Sequence, residues 1–237
     1  MFIKNLSLFV LLFSGLLQFK ATAQNKGFMD FNGYYDTREF SVLTLNLLAK
    51  LPNRIQYFSL TNYQGPSKSS DLSNFYSEQN LRWGVSKDSP IDATIQYVIR
   101  NKTMNDDLRF GFRWRLNNTS IIDSFFHKMN MTYSVNPMLV QLREKTSTKI
   151  LTLVEHVYNI NILPRLFNDR MYLGGFADHN MQKTTNGKIR HNWVTEHQLG
   201  FRIIDQLYII SEYRINTFLQ NKQQNGLGYG FEYKIKF

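Results

Sequence analysis

The sequence predicts an all-β fold, a transmembrane antiparallel β-barrel of about twelve strands (ten to fourteen within the error of the boundaries), preceded by a cleaved signal peptide. Three observations predict it. The chain opens on a short apolar leader, apolar and polar residues alternate repeatedly through the rest, and the last alternating run ends on the aromatic Phe237. Composition agrees with this. Of 237 residues, 43% are hydrophobic and 15% aromatic while 19% are charged, which excludes a disordered chain. The absence of cysteine excludes a disulfide scaffold, a thiolate zinc site and a Cys nucleophile.

Residues 1–23 carry the leader. Lys4 gives a positive start, residues 6–17 an apolar core, and Ala21-Thr22-Ala23 a small-residue cleavage site, so that cleavage is expected after Ala23. That core is shorter than the ~20 residues a membrane-spanning helix needs, and Lys20 interrupts it, which argues against a retained anchor. Loss of Lys4 and Lys20 takes the formal charge from +10 to +8. Residues 24–237 then form one barrel domain, with no linker, long repeat or low-complexity tract. Nothing beyond residue 24 approaches 18 consecutive apolar residues, so any membrane crossing falls to strands.

Period-2 alternation marks the strands. In 106–117, Leu108, Phe110, Phe112, Trp114 and Leu116 share one face, and Asp107, Arg109, Gly111, Arg113, Arg115 and Asn117 the other. In 226–237, Leu227, Tyr229, Phe231, Tyr233, Ile235 and Phe237 oppose Gly228, Gly230, Glu232, Lys234 and Lys236. Taken in order, the predicted strands are 28–37, 39–49, 54–63, 74–86, 91–101, 106–117, 125–141, 148–160, 170–178, 190–203, 207–217 and 226–237. A bend or bulge is expected at Asn136-Pro137. With both ends periplasmic, the turns at 50–53, 87–90, 164–169 and 204–206 are short, and the polar loops at 64–73, 179–190 and 219–226 face outward. The stretch 117–124 is longer than this rule wants.

The chemistry-bearing residues do not assemble into a known catalytic pattern. No His is followed by the His-x-Ser spacing of a lipid-hydrolysing barrel, and neither G-x-S-x-G nor S-x-x-K occurs. The five histidines are scattered: His127 opens a strand, His179 and His191 flank a loop, and His197 shares the lipid-facing row with Leu199 and Phe201. No metal site and no cofactor are expected, since Asp178 and His179 point to opposite faces of a strand. Asp106-Asp107 reads as an outer-loop cap. The basic charge alternates with apolar residues instead of clustering, which argues against nucleic acid as a partner. Lipid, lipopolysaccharide at the rim and a polar lumen account for it instead.

That leaves the inward faces, where Tyr76, Glu78, Arg82, Arg109, Arg113, Arg115, Phe176, Glu196, Gln198, Arg202, Glu212, Arg214 and Glu232 are placed. Carboxylates opposed to guanidinium groups across a narrow barrel set up a transverse field, and interleaved aromatic rings offer stacking surfaces. A lumen closed by its own ion pairs is the alternative.

Several segments resemble the nucleoside-specific channel-forming (Tsx-type) porin family: EFSVLTLNLLAKLPNRIQYFSLTNYQG (39–65), FYSEQNLRWGVS (75–86), YLGGFADHN (172–180), TEHQLGFRI (195–203) and GLGYGFEYKIKF (226–237). The resemblance runs in order over nearly the whole mature chain. It implies a monomeric twelve-stranded barrel passing nucleosides, with Glu78, Arg82, Phe176, Asp178 and Glu196 as the substrate-contacting residues. The first strand matches poorly and the outer loops are short. The Ala-Gln cleavage context is similar to exported proteins of the Bacteroidetes group. The expected function is passive diffusion of small polar solutes, possibly nucleosides, across a bacterial outer membrane. Phe237 serves there as the signal to the barrel-assembly machinery. An outer-membrane enzyme acting on lipid or lipopolysaccharide, and a non-conducting structural barrel, are the alternatives.

Overall fold

The computed structural model of the protein describes residues 27–65, 72–101, 106–143, 149–184, 186–219 and 222–237. The leader, its cleavage after Ala23 and most of the outer loop at 64–73 lie outside the described residues.

Twelve strands close into one antiparallel barrel: β1 (Gly27–Asp36), β2 (Phe40–Leu51), β3 (Ile55–Gln64), β4 (Asn74–Gly84), β5 (Ile91–Arg100), β6 (Asp107–Arg115), β7 (Met131–Arg143), β8 (Lys149–Asn161), β9 (Met171–Lys183), β10 (Ile189–Ile204), β11 (Leu207–Asn216) and β12 (Asn225–Lys236). Each strand pairs with its chain neighbours, and β12 returns to pair with β1 from Phe28↔Lys236 to Asp36↔Gly228. Backbone bonds between Gly27 and Phe237 extend the seam at 2.8 and 3.2 Å. Closure leaves no free edge, so every strand can satisfy its backbone polar groups inside a bilayer. A ten-residue strand tilted as in such barrels covers a ~25 Å apolar band. No helix among the described residues is long and apolar enough to cross a membrane.

Burial is inverted relative to a water-soluble protein. Asn80, Gln96, Asp107 and Asn136 are at most 1% exposed, whereas Trp83, Ile95, Leu142 and Phe231 stand at 44–57% on the outside. Phe110, Phe112 and Trp114 lie on the outer face of β6, away from Arg109 and Arg113. The outward aromatics form two girdles. Trp83, Trp114, Phe201 and Tyr233 circle the end that holds Gly27 and Phe237, and Tyr35, Tyr63, Phe75, Tyr97, Trp193 and Tyr213 circle the far end. Amphipathic rings in two belts, with Leu43, Leu45, Leu47 and Ile95 between them, mark the two surfaces of a bilayer. The outer face of β3 and β4 also carries polar groups, and these satisfy one another: Thr61 with Ser77 at 2.9 Å, Gln79 donating to Ser77 at 2.7 Å, and Tyr57 donating to Gln79.

Tight turns at the terminal end depend on residues that tolerate left-handed backbone. Asn53 and Arg54 (φ 59° and 64°) reverse β2 into β3, and Asp205 (φ 40°) reverses β10 into β11. Three expectations need correction. The predicted strand 125–141 is shorter, because Asp123–Lys128 forms α1, with Asp123 in its first turn and His127 and Lys128 in its last, so His127 lies on a helix. Phe126 of α1 is buried against Tyr133, their rings stacked at 5.9 Å. The register shift in β7 falls at Leu139, between Met138 and Val140, two residues past the expected Asn136-Pro137, which keep register with β8 but drop out of the pairing with β6. Finally, β9 and β10 continue to Lys183 and from Ile189, so the outer loop expected at 179–190 shrinks to 184–188; a second short helix, α2 (Pro164–Phe167), occupies the turn before β9.

Candidate functional site

Alternation along each strand sends one row of side chains into the lumen, and the register decides which rows meet. The wall made by β4 to β7 is basic: Arg82, Arg100, Arg109, Arg113, Arg115 and Arg143 face inward against Glu78, Asp92 and Asp107. Asp107, fully buried, gathers three guanidinium groups: Arg109 at 3.0 Å, Arg143 at 3.1 Å and Arg100 at 3.2 Å. Asp92 takes Arg113 at 2.7 Å and Arg115 at 3.2 Å, and Arg113 reaches Gln56 on β3 as well. Gln96 ties this wall together, accepting from Arg109 at 2.7 Å while donating to Glu78 at 3.2 Å and Asn80 at 3.1 Å.

The wall made by β8 to β11 is acidic. Glu155 and Asp178 are directly opposed across the β8–β9 ladder. Glu196 on β10 is paired with Arg214 of β11 at 2.9 Å, and Arg214 also holds Glu212. Glu155 accepts from Asn136, whereas Asp178 has neither a hydrogen bond nor an ion pair among the described residues, its Oδ1 being shielded from solvent.

Between these walls β1, β2 and β12 supply a mixed block together with the terminal ends of β9 and β11. Tyr34, Val42, Tyr208 and Ile210 pack together inside the lumen, with Phe40 and Tyr172 against them. Tyr172 lies across Gly200, where a Cβ would sit 2.2 Å from the ring, and it donates to Glu232 at 2.5 Å and accepts from Gln198 at 2.5 Å. Lys234 pairs with Glu232 at 2.8 Å and sits 4.8 Å above the Tyr172 ring. The Arg214 guanidinium lies 5.0 Å above the Tyr34 ring. Asp30 holds Asn32 and Asn46, both at 2.8 Å.

The predicted lumenal residues therefore separate by environment. Tyr76 donates to Glu78 and carries Arg100 at 5.3 Å over its ring. Arg109, Arg113, Glu196, Gln198, Glu212 and Arg214 are committed to the ion pairs and hydrogen bonds described above. Phe176 takes its place on β9 between Val157 and Glu196. Arg202 sits at the terminal rim, where it donates to the Asn168 carbonyl at 3.1 Å. Arg82 is 7% exposed and makes no hydrogen bond or ion pair among the described residues; its guanidinium lies 5.7 Å from the Phe58 ring.

Sequence reading missed Asp92, Gln96, Glu155, Tyr34 and Tyr172, and it put Asp107 on the arginine face of β6 without giving it a lumenal role. The alternation Asp92, Thr94, Gln96 along β5 was a usable signal, since all three are buried. Asp107 was assigned to a loop cap; only its neighbour Asp106 has such a role, accepting from the Arg100 amide at 3.0 Å.

The four histidines on strands stay on the outer face. His156 bonds Tyr133 at 2.9 Å, His197 bonds Tyr158 at 2.7 Å, and His179 bonds His191 at 2.9 Å with the Trp193 ring stacked 4.5 Å away from His179. No hydrogen bond joins a Ser to a His among the described residues, and no group of three or more metal-ligating side chains gathers among them.

Comparison with known proteins places the architecture. No protein-family model matches the chain, and no curated protein matches it in sequence. Among solved structures it is similar to the KdgM porin, with a TM-score of 0.52 at 11% identity, over 87% of this chain and 98% of the porin. A KdgM porin in complex with disordered oligogalacturonate gives the same values. At these identities the likeness is one of fold: a porin-like twelve-stranded barrel.

Proposed function

We propose that the protein is an outer-membrane channel for the passive diffusion of small polar solutes, nucleosides among them. The observation that carries this reading is the separation of charge inside the barrel. Six arginines face the lumen from β4 to β7, and Glu155, Asp178 and Glu196 face it from β8 to β10. Such walls generate a field across the lumen that a dipolar solute can follow, and Tyr76, Phe176 and Tyr172 add rings for stacking. The nucleoside assignment rests on the Tsx-type segments and on these rings. The KdgM likeness supplies a porin of the same fold whose complex holds oligogalacturonate. The same reading carries export through the predicted leader, contact of the basic rims with lipopolysaccharide, assembly through the last strand, and no catalysis.

A second reading has its own support. Lumenal side chains such as Asn80, Gln96, Asp107 and Glu232 are at most 2% exposed, the packing of a closed, non-conducting structural barrel. Planar-bilayer recording of the purified protein separates the two. A channel gives small conductance steps, and nucleosides block them if they are carried; the absence of any conductance removes the channel reading.

A further inference from the structure

His179 on β9 and His191 on β10 form a pair of imidazoles that takes no part in the lumen. Both are on the outer face at the far end, His191 exposed just beyond the Trp193 girdle, where water reaches the barrel wall. The ladder holds them in place. Trp193 opposes His179 and Met181 opposes His191, so the two histidines are diagonal neighbours across one pair of strands. Trp193 stacks on His179 at 4.5 Å and 16°, and the His191 ring lies 5.1 Å from His179 at 12°, which makes three nearly parallel rings. The other two strand histidines each meet a tyrosine hydroxyl instead, His156 that of Tyr133 and His197 that of Tyr158. Here Nε2 of His179 and Nδ1 of His191 face one another across 2.9 Å. Two neutral rings share a single proton in that gap, and moving it to the far nitrogen of its ring leaves two lone pairs there. Imidazole ligands set at right angles on an ion with bonds of about 2.0 Å stand about 2.8 Å apart, whereas a tetrahedral ion spreads them to about 3.3 Å.

We propose that His179 and His191 form a surface site for Cu²⁺, the two imidazoles in neighbouring positions of a tetragonal ion and water in the rest. Square-planar and tetragonal nitrogen sites suit Cu²⁺ and Ni²⁺, and copper heads the affinity order of the divalent ions. Among the described residues, the outward neighbours of the pair are Thr152, Val154, Met181, Lys183 and Ile189, with no carboxylate to recruit Ca²⁺ or Mg²⁺. The stacked Trp193 ring fixes the His179 plane, so little order is lost when the ion binds. The site lies outside the barrel wall and does not depend on the channel reading.

The test is titration of copper(II) chloride into the protein, purified in detergent without a histidine tag, followed by tryptophan fluorescence and electron paramagnetic resonance. Of the three tryptophans, Trp193 lies beside the pair while Trp83 and Trp114 belong to the other girdle. Wild-type protein binds a single Cu²⁺, which quenches the emission of one tryptophan and gives a resonance spectrum with nitrogen ligation. His179→Phe and His191→Phe keep a ring in the stack, and each weakens binding by at least the ~10–100-fold that loss of an outer-shell partner costs. His156→Phe leaves binding unchanged, and Trp193→Phe removes the quenching but keeps the nitrogen-ligated copper. Ca²⁺ does not compete, and Zn²⁺ competes only in excess. Heat-modifiable mobility confirms that each variant is folded, and His191→Phe, at the exposed position, carries the test if His179→Phe fails to fold. Absence of binding, quenching that survives both histidine variants, or copper held without nitrogen ligands overturns the site and leaves the channel standing.

Discussion

Ile95→Arg puts the inside-out arrangement under direct strain. Ile95 is near the middle of β5, on the outer face, 44% exposed, with Leu81 on β4 and Phe110 on β6 as its ladder partners. In a bilayer an arginine at that depth costs about 2–4 kcal/mol, whereas near the interface the cost falls to about 0–1 kcal/mol. Val85→Arg provides the interfacial control. Val85 is 58% exposed beyond the end of β4, next to the Trp83 girdle. The difference between the two variants is then on the order of 1–4 kcal/mol, roughly fivefold to nearly a thousandfold in the folding equilibrium. Urea-driven unfolding in lipid vesicles, followed by heat-modifiable mobility, reads this difference. Equal midpoints for Ile95→Arg and Val85→Arg would show that Ile95 does not meet acyl chains, and the assignment of faces would fall with it.

Two further perturbations address the lumen and the seam. Asp107→Asn leaves Arg100, Arg109 and Arg143 without their shared anion, and the loss of one partner from a buried ionic group costs about 3–5 kcal/mol; an unchanged urea midpoint would mean that water already neutralises this cluster. Deleting Phe237 removes the last backbone pair with Gly27 and the ring that packs against it. The fraction of heat-modifiable barrel recovered from the outer membrane should drop, and full recovery would dissociate this residue from assembly.

What the sequence showed, and where it failed, follows from where lipid is. Strand β6 was legible because both of its faces are under constraint, Phe110, Phe112 and Trp114 toward acyl chains and Arg109 and Arg113 toward the lumen. The upper part of β9 was not. Beyond the Trp193 girdle neither face needs to be apolar, so the run from His179 to Lys183 loses its alternation and reads as a loop although its hydrogen bonds continue to Ile189↔Lys183. Helix α1 was hidden for a different reason. Phe125 and Phe126 suit a strand as well as a helix, and it is the stacking of Phe126 on Tyr133, a tertiary contact, that favours the helix. The candidate site was half legible. Periodicity placed Arg82, Glu196 and Arg214 on inward rows, but which charges meet depends on register. Arg143 and Asp107, 36 positions apart, become partners only through the β6–β7 ladder.

The arrangement of those charges also weighs on the choice between a conducting and a closed barrel. A barrel that only has to span the membrane gains stability by interleaving positive and negative side chains, or by filling its interior with apolar ones, since desolvating each ion costs several kcal/mol. Near Tyr34, Val42 and Ile210 the interior of this protein is indeed apolar. Opposite that block, three arginines crowd one Asp107 and two crowd one Asp92, while Glu155 and Asp178 adjoin one another with no cation bonded to either among the described residues. Exchanging a single pair, an acid onto β4 and a base onto β9, would reduce both excesses without altering a single backbone contact. A sequence that keeps like charges together on each wall forgoes that stability, which a sealed barrel has no reason to give up and a barrel that admits polar solutes between its walls does.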